Sequence, residues 1–306
     1  MLEARGVTGA HDAGADREIA MPYAIASDKT RLYYEEAGSG SPILFVHEFA
    51  ADYAGWEPQM RYLSRRHRCI SFSARGYKPS ETPPGEAFTW QHFRDDVLDV
   101  LDHLDLERAH LVGLSMGAYS SLQVGLHRPE RALSLTLAGI GTGSEPERIK
   151  AFRESNERNA RIFETQGSAE AAKVYEKSPN RIGFGIKDPR GFAEFVAALA
   201  RHDAQGSAHT QRGFQAGRPS LYEYEDDLRK LDLPVLIIVG DEDDSCIQAS
   251  LFLKQNIPAS GLAMFAKTGH VINLEEPALF NQTLERFLAL VESGRWPPRD
   301  PASVRA

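Results

Sequence analysis

Apolar runs and amphipathic stretches alternate along most of this chain. Pro22–Ser27 and Thr30–Glu36 read as two short strands joined by Asp28 and Lys29, a hairpin turn. Pro42–His47 is a continuous apolar run, the composition that a strand covered on both faces requires. A helix-like stretch over Trp56–Ser64 follows, and then a strand over His67–Phe72. From Trp90 to Leu104 the residues Phe93, Val97, Val100, Leu101 and Leu104 recur at three- and four-residue steps. Arg94, Asp95, Asp96, Asp99 and Asp102 fall on the other faces, so this is an amphipathic helix with Thr89 as its N-cap. A strand through His110–Leu114, a helix to about His127 and a strand over Ala132–Ile140 continue the pattern. Such alternation predicts an α/β fold, a mostly parallel twisted sheet covered by helices on both faces.

The rhythm changes at about residue 144. As far as residue 221 there is no continuous apolar strand, but Ile149–Phe163, Ala169–Tyr175 and Phe192–Ala200 are helix-like. A helical insertion between two strands is expected to sit over the sheet edge as a cap, or lid. The sheet rhythm resumes with Leu233–Gly240, a helix near Ala249–Asn256 and a strand over Leu262–Ala266. A last helix, Glu276–Val291, buries Phe280, Leu284, Phe287, Leu288 and Val291. The expected organisation is therefore a core of residues 20–143 and 222–294, a helical cap of residues 144–221, a flexible tail at 1–19 and a loose tail at 295–306.

Composition narrows the classes of partner. Among 306 residues, 43 are acidic and 35 are Lys or Arg, a net charge of −8, which argues against a nucleic acid or an anionic membrane as partner. Cys69 and Cys246 are too few for a disulfide framework and are expected to be reduced, with Cys69 buried in its strand. The first 19 residues lack the apolar centre of a signal peptide, and no later run has the length of a membrane span. The expectation is a cytoplasmic protein, monomer or homodimer, acting on a small molecule.

The chemistry starts at Gly113-Leu114-Ser115-Met116-Gly117, where an apolar strand gives way directly to a helix. In that context the flanking glycines let two backbones approach, and the serine is held at the tip of a sharp turn. The Met116 N–H at the helix start then faces any negative charge that develops beside Ser115. A serine nucleophile needs a base and an acid to orient it. His270 follows the last strand, and a histidine has a pKa suited to moving a proton near neutrality. After the preceding strand, Gly240-Asp241-Glu242-Asp243-Asp244 offers four carboxylates. Asp243 is favoured, because the third residue beyond the strand-ending glycine has turned back toward the sheet. Asp241 and Asp244 remain open alternatives.

From about Tyr23 to Val291 the chain resembles the α/β-hydrolases with a helical cap. The resemblance is carried by Gly113–Gly117 as nucleophile elbow, Gly240 with Asp243 as acid loop, and Gly269-His270 with Glu275 and Pro277 as histidine loop, in the order Ser, Asp, His. It implies that the loop His47-Glu48-Phe49 supplies the Phe49 N–H as a second oxyanion donor beside Met116. Two departures accompany it. Glu48 stands where relatives usually have glycine, and is expected either to be turned away and tied down or to act in the site. In Ser73–Ser80, relatives often have Asp at the first position and glycine in place of Lys78, a difference that touches a turn and not the fold. Relatives that break carbon–halogen bonds or open epoxides carry aspartate at the elbow; serine here implies acyl transfer to water.

The resemblance thus implies a serine hydrolase without metal or other cofactor, acting on a small or medium carboxylic ester or lactone. Amides, thioesters and C–C bonds yield to the same machinery, an alcohol or thiol acceptor would make it an acyltransferase, and a ligand receptor on this fold is the alternative from another class. Candidates for the substrate pocket are Glu48, Trp56, Tyr175 and Phe184, with Phe49, Phe192 and Phe195 as further aromatics.

Overall fold

The computed structural model describes residues 22–303; the flexible tail expected at 1–19 lies outside them. Eight strands form one sheet: β1 (Tyr23–Ile25), β2 (Arg31–Ala37), β3 (Pro42–Val46), β4 (Arg68–Phe72), β5 (Ala109–Leu114), β6 (Ala132–Ala138), β7 (Val235–Gly240) and β8 (Ser260–Phe265). Their spatial order is β1-β2-β4-β3-β5-β6-β7-β8. Only the β1–β2 and β2–β4 pairings are antiparallel; the rest of the sheet is parallel. The central strands β5 and β7 are buried along their whole length, which is why their sequences are continuously apolar and do not alternate.

Helices cover both faces. Trp90–His103 buries Phe93, Val97, Val100 and Leu101, as its periodicity predicts, together with Leu98 and one charge, Asp96, while Leu104 lies half-buried at the C-cap. Arg75 answers that charge from the Ser73–Ser80 segment, with Nε 2.9 Å from Asp96 Oδ2 and Nη1 2.7 Å from Asp28 Oδ2. The departure from the family pattern in this segment therefore surrounds a buried ion pair that ties three stretches of chain together. Thr89 holds the N-cap position in extended backbone, but its hydroxyl meets His92 Nδ1 at 2.8 Å and leaves the helix end without a side-chain cap. Cys69 and Cys246 are both free and buried.

Between β6 and β7 the chain forms helices Ile149–Gln166, Ser168–Glu176, Pro179–Lys187, Pro189–Leu199 and Ala204–His209, the last running into a π-helical turn at Thr210–Gln215. Pro179–Lys187 is absent from the sequence expectation. Gly183 and Gly185 lower its helix propensity, and packing against the neighbouring helix and the histidine loop compensates. The layer lies over the carboxyl ends of the strands, where Asn180 O accepts the His270 N–H at 2.8 Å.

The loose C-terminal tail is corrected over its described residues. Trp296 packs edge-on against Phe287, with ring centroids 4.7 Å apart, and donates Nε1–H to Ala259 O at 2.8 Å. Arg299 N–H reaches Pro258 O at 3.0 Å, so residues 295–299 are laid along the β8 edge by one aromatic anchor and two backbone acceptors. Among the described residues, no helix is long and apolar enough to cross a membrane.

Candidate active site

Ser115 sits at φ 53°, ψ −109°, a backbone conformation that costs a non-glycine residue about 1–3 kcal/mol and needs its surroundings to impose it. Those surroundings are the two glycines and the adjoining strands. A Cβ on Gly113 would lie 2.3 Å from Gly117 O, and one on Gly117 would lie 2.0 Å from Val46 O. The Ser115 N–H is held by Ala138 O at 2.8 Å, and its carbonyl accepts the Tyr119 N–H at 3.0 Å. The residue is thereby clamped between β5, β6 and the helix Met116–His127.

The histidine loop and the acid loop meet beside it. His270 Nδ1 lies 2.6 Å from Asp243 Oδ2, and Ser245 Oγ donates to Asp243 Oδ1 at 2.9 Å. Asp243 is fully buried, whereas Asp241, Glu242 and Asp244 are exposed. Asp241 accepts the Thr268 N–H at 3.2 Å and Glu242 pairs with Lys267 at 3.3 Å. Of the four carboxylates, only Asp243 is turned to the histidine. Burial alone would raise the Asp243 pKa, but the adjacent imidazole outweighs it and holds the carboxyl at about 2. Burial likewise pulls the His270 pKa down, and the Asp243 charge and hydrogen bond reverse this, leaving the imidazole well above its ordinary 6.5. With Nδ1–H committed to the carboxylate, Nε2 is the nitrogen left to accept a proton.

Cys246 lies behind this pair, its Sγ 3.9 Å from His270 Nδ1 and 3.2 Å from Gly139 O. Asp243, Cys246 and His270 are of metal-binding type, with donor atoms within 4.8 Å of one another. The carboxylate and imidazole are spent on each other, however, and burial raises the thiol pKa and keeps Cys246 protonated. The donor set fits a hydrogen-bonded cluster, not a cation.

The loop after β3 is held by His47. The Ala74 N–H donates to His47 Nε2 at 3.0 Å, so the other nitrogen carries the proton and donates to Glu48 O at 2.7 Å. Burial lowers the His47 pKa to about 4, so this neutral bridge persists near pH 7. Among the described residues, neither the Phe49 nor the Met116 N–H has a hydrogen-bond acceptor.

Glu48 is tied down but not turned away. Its Oε2 accepts from Arg181 Nη2 at 2.6 Å and lies 3.9 Å from His270 Nε2, while its Oε1 is buried without a partner. Both members of this ion pair are almost wholly buried. Glu48, Phe49, Ser115, Tyr175, Arg181 and His270 line one cavity of about 310 Å³. Tyr175 stacks on Phe49 with ring centroids 5.6 Å apart.

The other two pocket candidates lie elsewhere. Trp56 is core, 1% exposed, wedged between Phe45 and Phe280 at centroid distances of 5.1 and 5.8 Å. Phe184 packs inside the helical layer against Phe192 and Phe195 and faces a separate groove along Ala50, Ala51 and Pro58. An aromatic at helical spacing is buried in either case, and the spacing does not say against what. Sequence reasoning missed Arg181 and Arg218, both of which line the cavity. Arg181 lies in the first turn of a helix and Arg218 in a Gly-Arg-Pro bend, positions that many solvated arginines share.

The family described as alpha/beta hydrolase fold matches residues 41–277. The chain is 27% identical over 252 residues to 3-oxoadipate enol-lactonase 1 of Acinetobacter baylyi, covering 82% of this chain and 89% of that one. It is 27% identical over 281 residues to 2-hydroxymuconate semialdehyde hydrolase of a Pseudomonas species, covering 89% and 94% respectively. Among solved structures, a thermophilic esterase from Thermogutta terrifontis with malate bound matches with a TM-score of 0.78 at 25% identity, covering 88% of this chain and 98% of that one.

Proposed function

Because the chain belongs to the alpha/beta hydrolase fold family, we propose that it is a serine hydrolase that cleaves a small or medium carboxylic ester or lactone through an acyl-enzyme. The observation that carries this reading is the buried 2.6 Å contact between His270 Nδ1 and Asp243, in a cavity that Ser115 also lines. In the proposed reaction His270 Nε2 takes the Ser115 hydroxyl proton as Oγ attacks the substrate carbonyl. The Phe49 and Met116 N–H groups receive the oxyanion, a contribution of about 3–4 kcal/mol for each donor. The imidazolium, stabilised by Asp243 below and by the Glu48 carboxylate 3.9 Å away, returns the proton to the leaving alkoxide. Water then enters by the same route and releases the acid. In a lactone the leaving alkoxide stays on the acyl chain and the product is a hydroxy acid.

The helical layer acts in this reading as a cap that closes the reaction from bulk water. The related enol-lactonase and esterase support an ester or lactone substrate. The test is burst and steady-state release of 4-nitrophenol from acetate, butyrate and octanoate esters by the wild type and Ser115→Ala. Turnover in the wild type and its loss in the variant are expected; undiminished turnover by Ser115→Ala would remove Ser115 from the mechanism.

A further inference from the structure

The cavity that holds Ser115 and His270 is lined by three buried basic side chains, and two have a carboxylate partner. Arg181 has Glu48, and His270 has Asp243. Arg218 is different: it is 8% exposed, lines the same cavity, and among the described residues has no carboxylate within ion-pair distance. Its Nη2 donates to Thr142 O at 2.7 Å. The guanidinium is flanked by the rings of Tyr119 and Phe152, each at 5.1 Å, and Phe214 at 5.7 Å. Burial lowers its pKa to about 10, still far above neutrality, so the group remains charged.

Taking an unpaired guanidinium out of water costs several kcal/mol, and aromatic faces offset on the order of 1–2 kcal/mol each at best. Stacking also occupies the faces of the planar group and leaves the in-plane N–H donors that Thr142 does not use. That donor fork matches a carboxylate in geometry and in charge.

We propose that Arg218 is the seat of a carboxylate on the substrate, so that the ester or lactone cleaved here is a monoanion whose free carboxylate docks on Arg218 while its acyl carbonyl lies at Ser115. The assignment of the reacting end rests on the serine-hydrolase reading above. A carboxylate sets its negative charge directly against Arg218, which among the described residues has no carboxylate partner, whereas Arg181 has Glu48. The cavity of about 310 Å³ is at the small end of ligand sites and suits a short chain bearing one acid group. Asn156 and Gln215 line the same cavity and add to its polar surface.

The experiment compares kcat/KM for 4-nitrophenyl hemiglutarate with that for 4-nitrophenyl pentanoate, esters with acyl chains of equal length that differ in the terminal carboxylate. The wild type is expected to prefer the anion by about tenfold or more, and Arg218→Gln to reduce that ratio about 30-fold through KM of the anionic ester, the effect of one charged hydrogen bond. Arg218→Lys should retain part of the preference. A wild-type ratio at or below one, or an equal fall for both esters in Arg218→Gln, would overturn the assignment. Calorimetric titration of monomethyl glutarate, a monoanion, into Ser115→Ala and into Ser115→Ala/Arg218→Gln reads the same site without turnover. Binding lost with Arg218 supports the proposal, and equal binding to both overturns it. If neither ester is hydrolysed by the wild type, the hydrolase reading falls and the monomethyl glutarate titration alone decides the anion site.

Discussion

The floor and the roof of the cavity are built on different principles. The floor consists of Ser115, Asp243 and His270, each in a loop at the carboxyl end of β5, β7 or β8, where the parallel sheet fixes the backbone to within a hydrogen bond. The roof is contributed by the helical segment between β6 and β7: Tyr175, Arg181 and, just beyond its last turn, Arg218. Floor groups are held by backbone geometry and by one short contact between side chains. Roof groups are long side chains that reach in from helices, and each depends on a partner for its position: Gln211 for Tyr175, Glu48 for Arg181, aromatic faces for Arg218. A sheet can hold reacting atoms to the tolerance that proton transfer needs, whereas helices laid over it can alter what fits without disturbing that geometry. The floor is therefore where rate is expected to reside, and the roof is where selectivity and stability meet.

Substitutions in the two halves test this division. Ser115→Ala should have the largest effect, lowering kcat for 4-nitrophenyl butyrate by about 10⁵-fold with the fold intact, as for removal of a nucleophile that works as one unit with its base. Asp243→Asn should cost about 10³–10⁴-fold. It should also move the acid limb of kcat/KM. The base must be neutral to act, and Asp243 raises its pKa above 6.5, so wild-type activity is lost as the pH falls through that raised value. With the carboxylate gone, burial dominates and the limb should shift to lower pH; a limb that does not move would mean that Asp243 does not act through His270.

Glu48→Gln crosses from floor to roof. It leaves Arg181 as a buried unpaired cation, so the protein should lose about 3–5 kcal/mol in urea unfolding. Replacing both residues with apolar ones of similar volume should recover most of that loss. If Glu48→Gln unfolds like the wild type, the pair is not what holds the roof to the loop after β3. Tyr175→Phe should be the mildest of the four, about 1 kcal/mol in the same assay, because it removes only the hydroxyl that accepts from Gln211 Nε2 at 2.6 Å. A larger loss of activity than of stability there would move Tyr175 from support into substrate contact.

The halves also differ in how far they could be read in advance. Gly113, Ser115 and Gly117 sit within five residues of one another, and the clash that excludes a Cβ at Gly113 or Gly117 is with backbone that the strand–turn–helix pattern already implies. His270 and Asp243 are short-range consequences of where strands end; Asp243 is favoured by its place three residues beyond Gly240, and burial separates it from Asp241 and Asp244. Nothing comparable marks the roof. Trp56, Tyr175 and Phe184 have the same kind of pattern around them, yet one is core under the sheet, one lines the cavity and one packs among helices. Arg181 and Arg218 cannot be told from the chain's other basic residues by spacing, because what distinguishes them is which side chains surround the guanidinium.

By itself, then, the sequence determined the alternation of buried strands and amphipathic helices, the site of the helical insertion, and the strained serine between its glycines. Each of these follows from local periodicity and backbone sterics that act over a few residues. Only the tertiary structure decided that Asp243 faces His270, that Glu48 is neutralised by Arg181 from 133 positions away, and that Arg218 has no anion among the described residues. Those outcomes depend on which charges share a low-dielectric cavity, and charge balance in a cavity is a property of the whole packing and of no single stretch of chain.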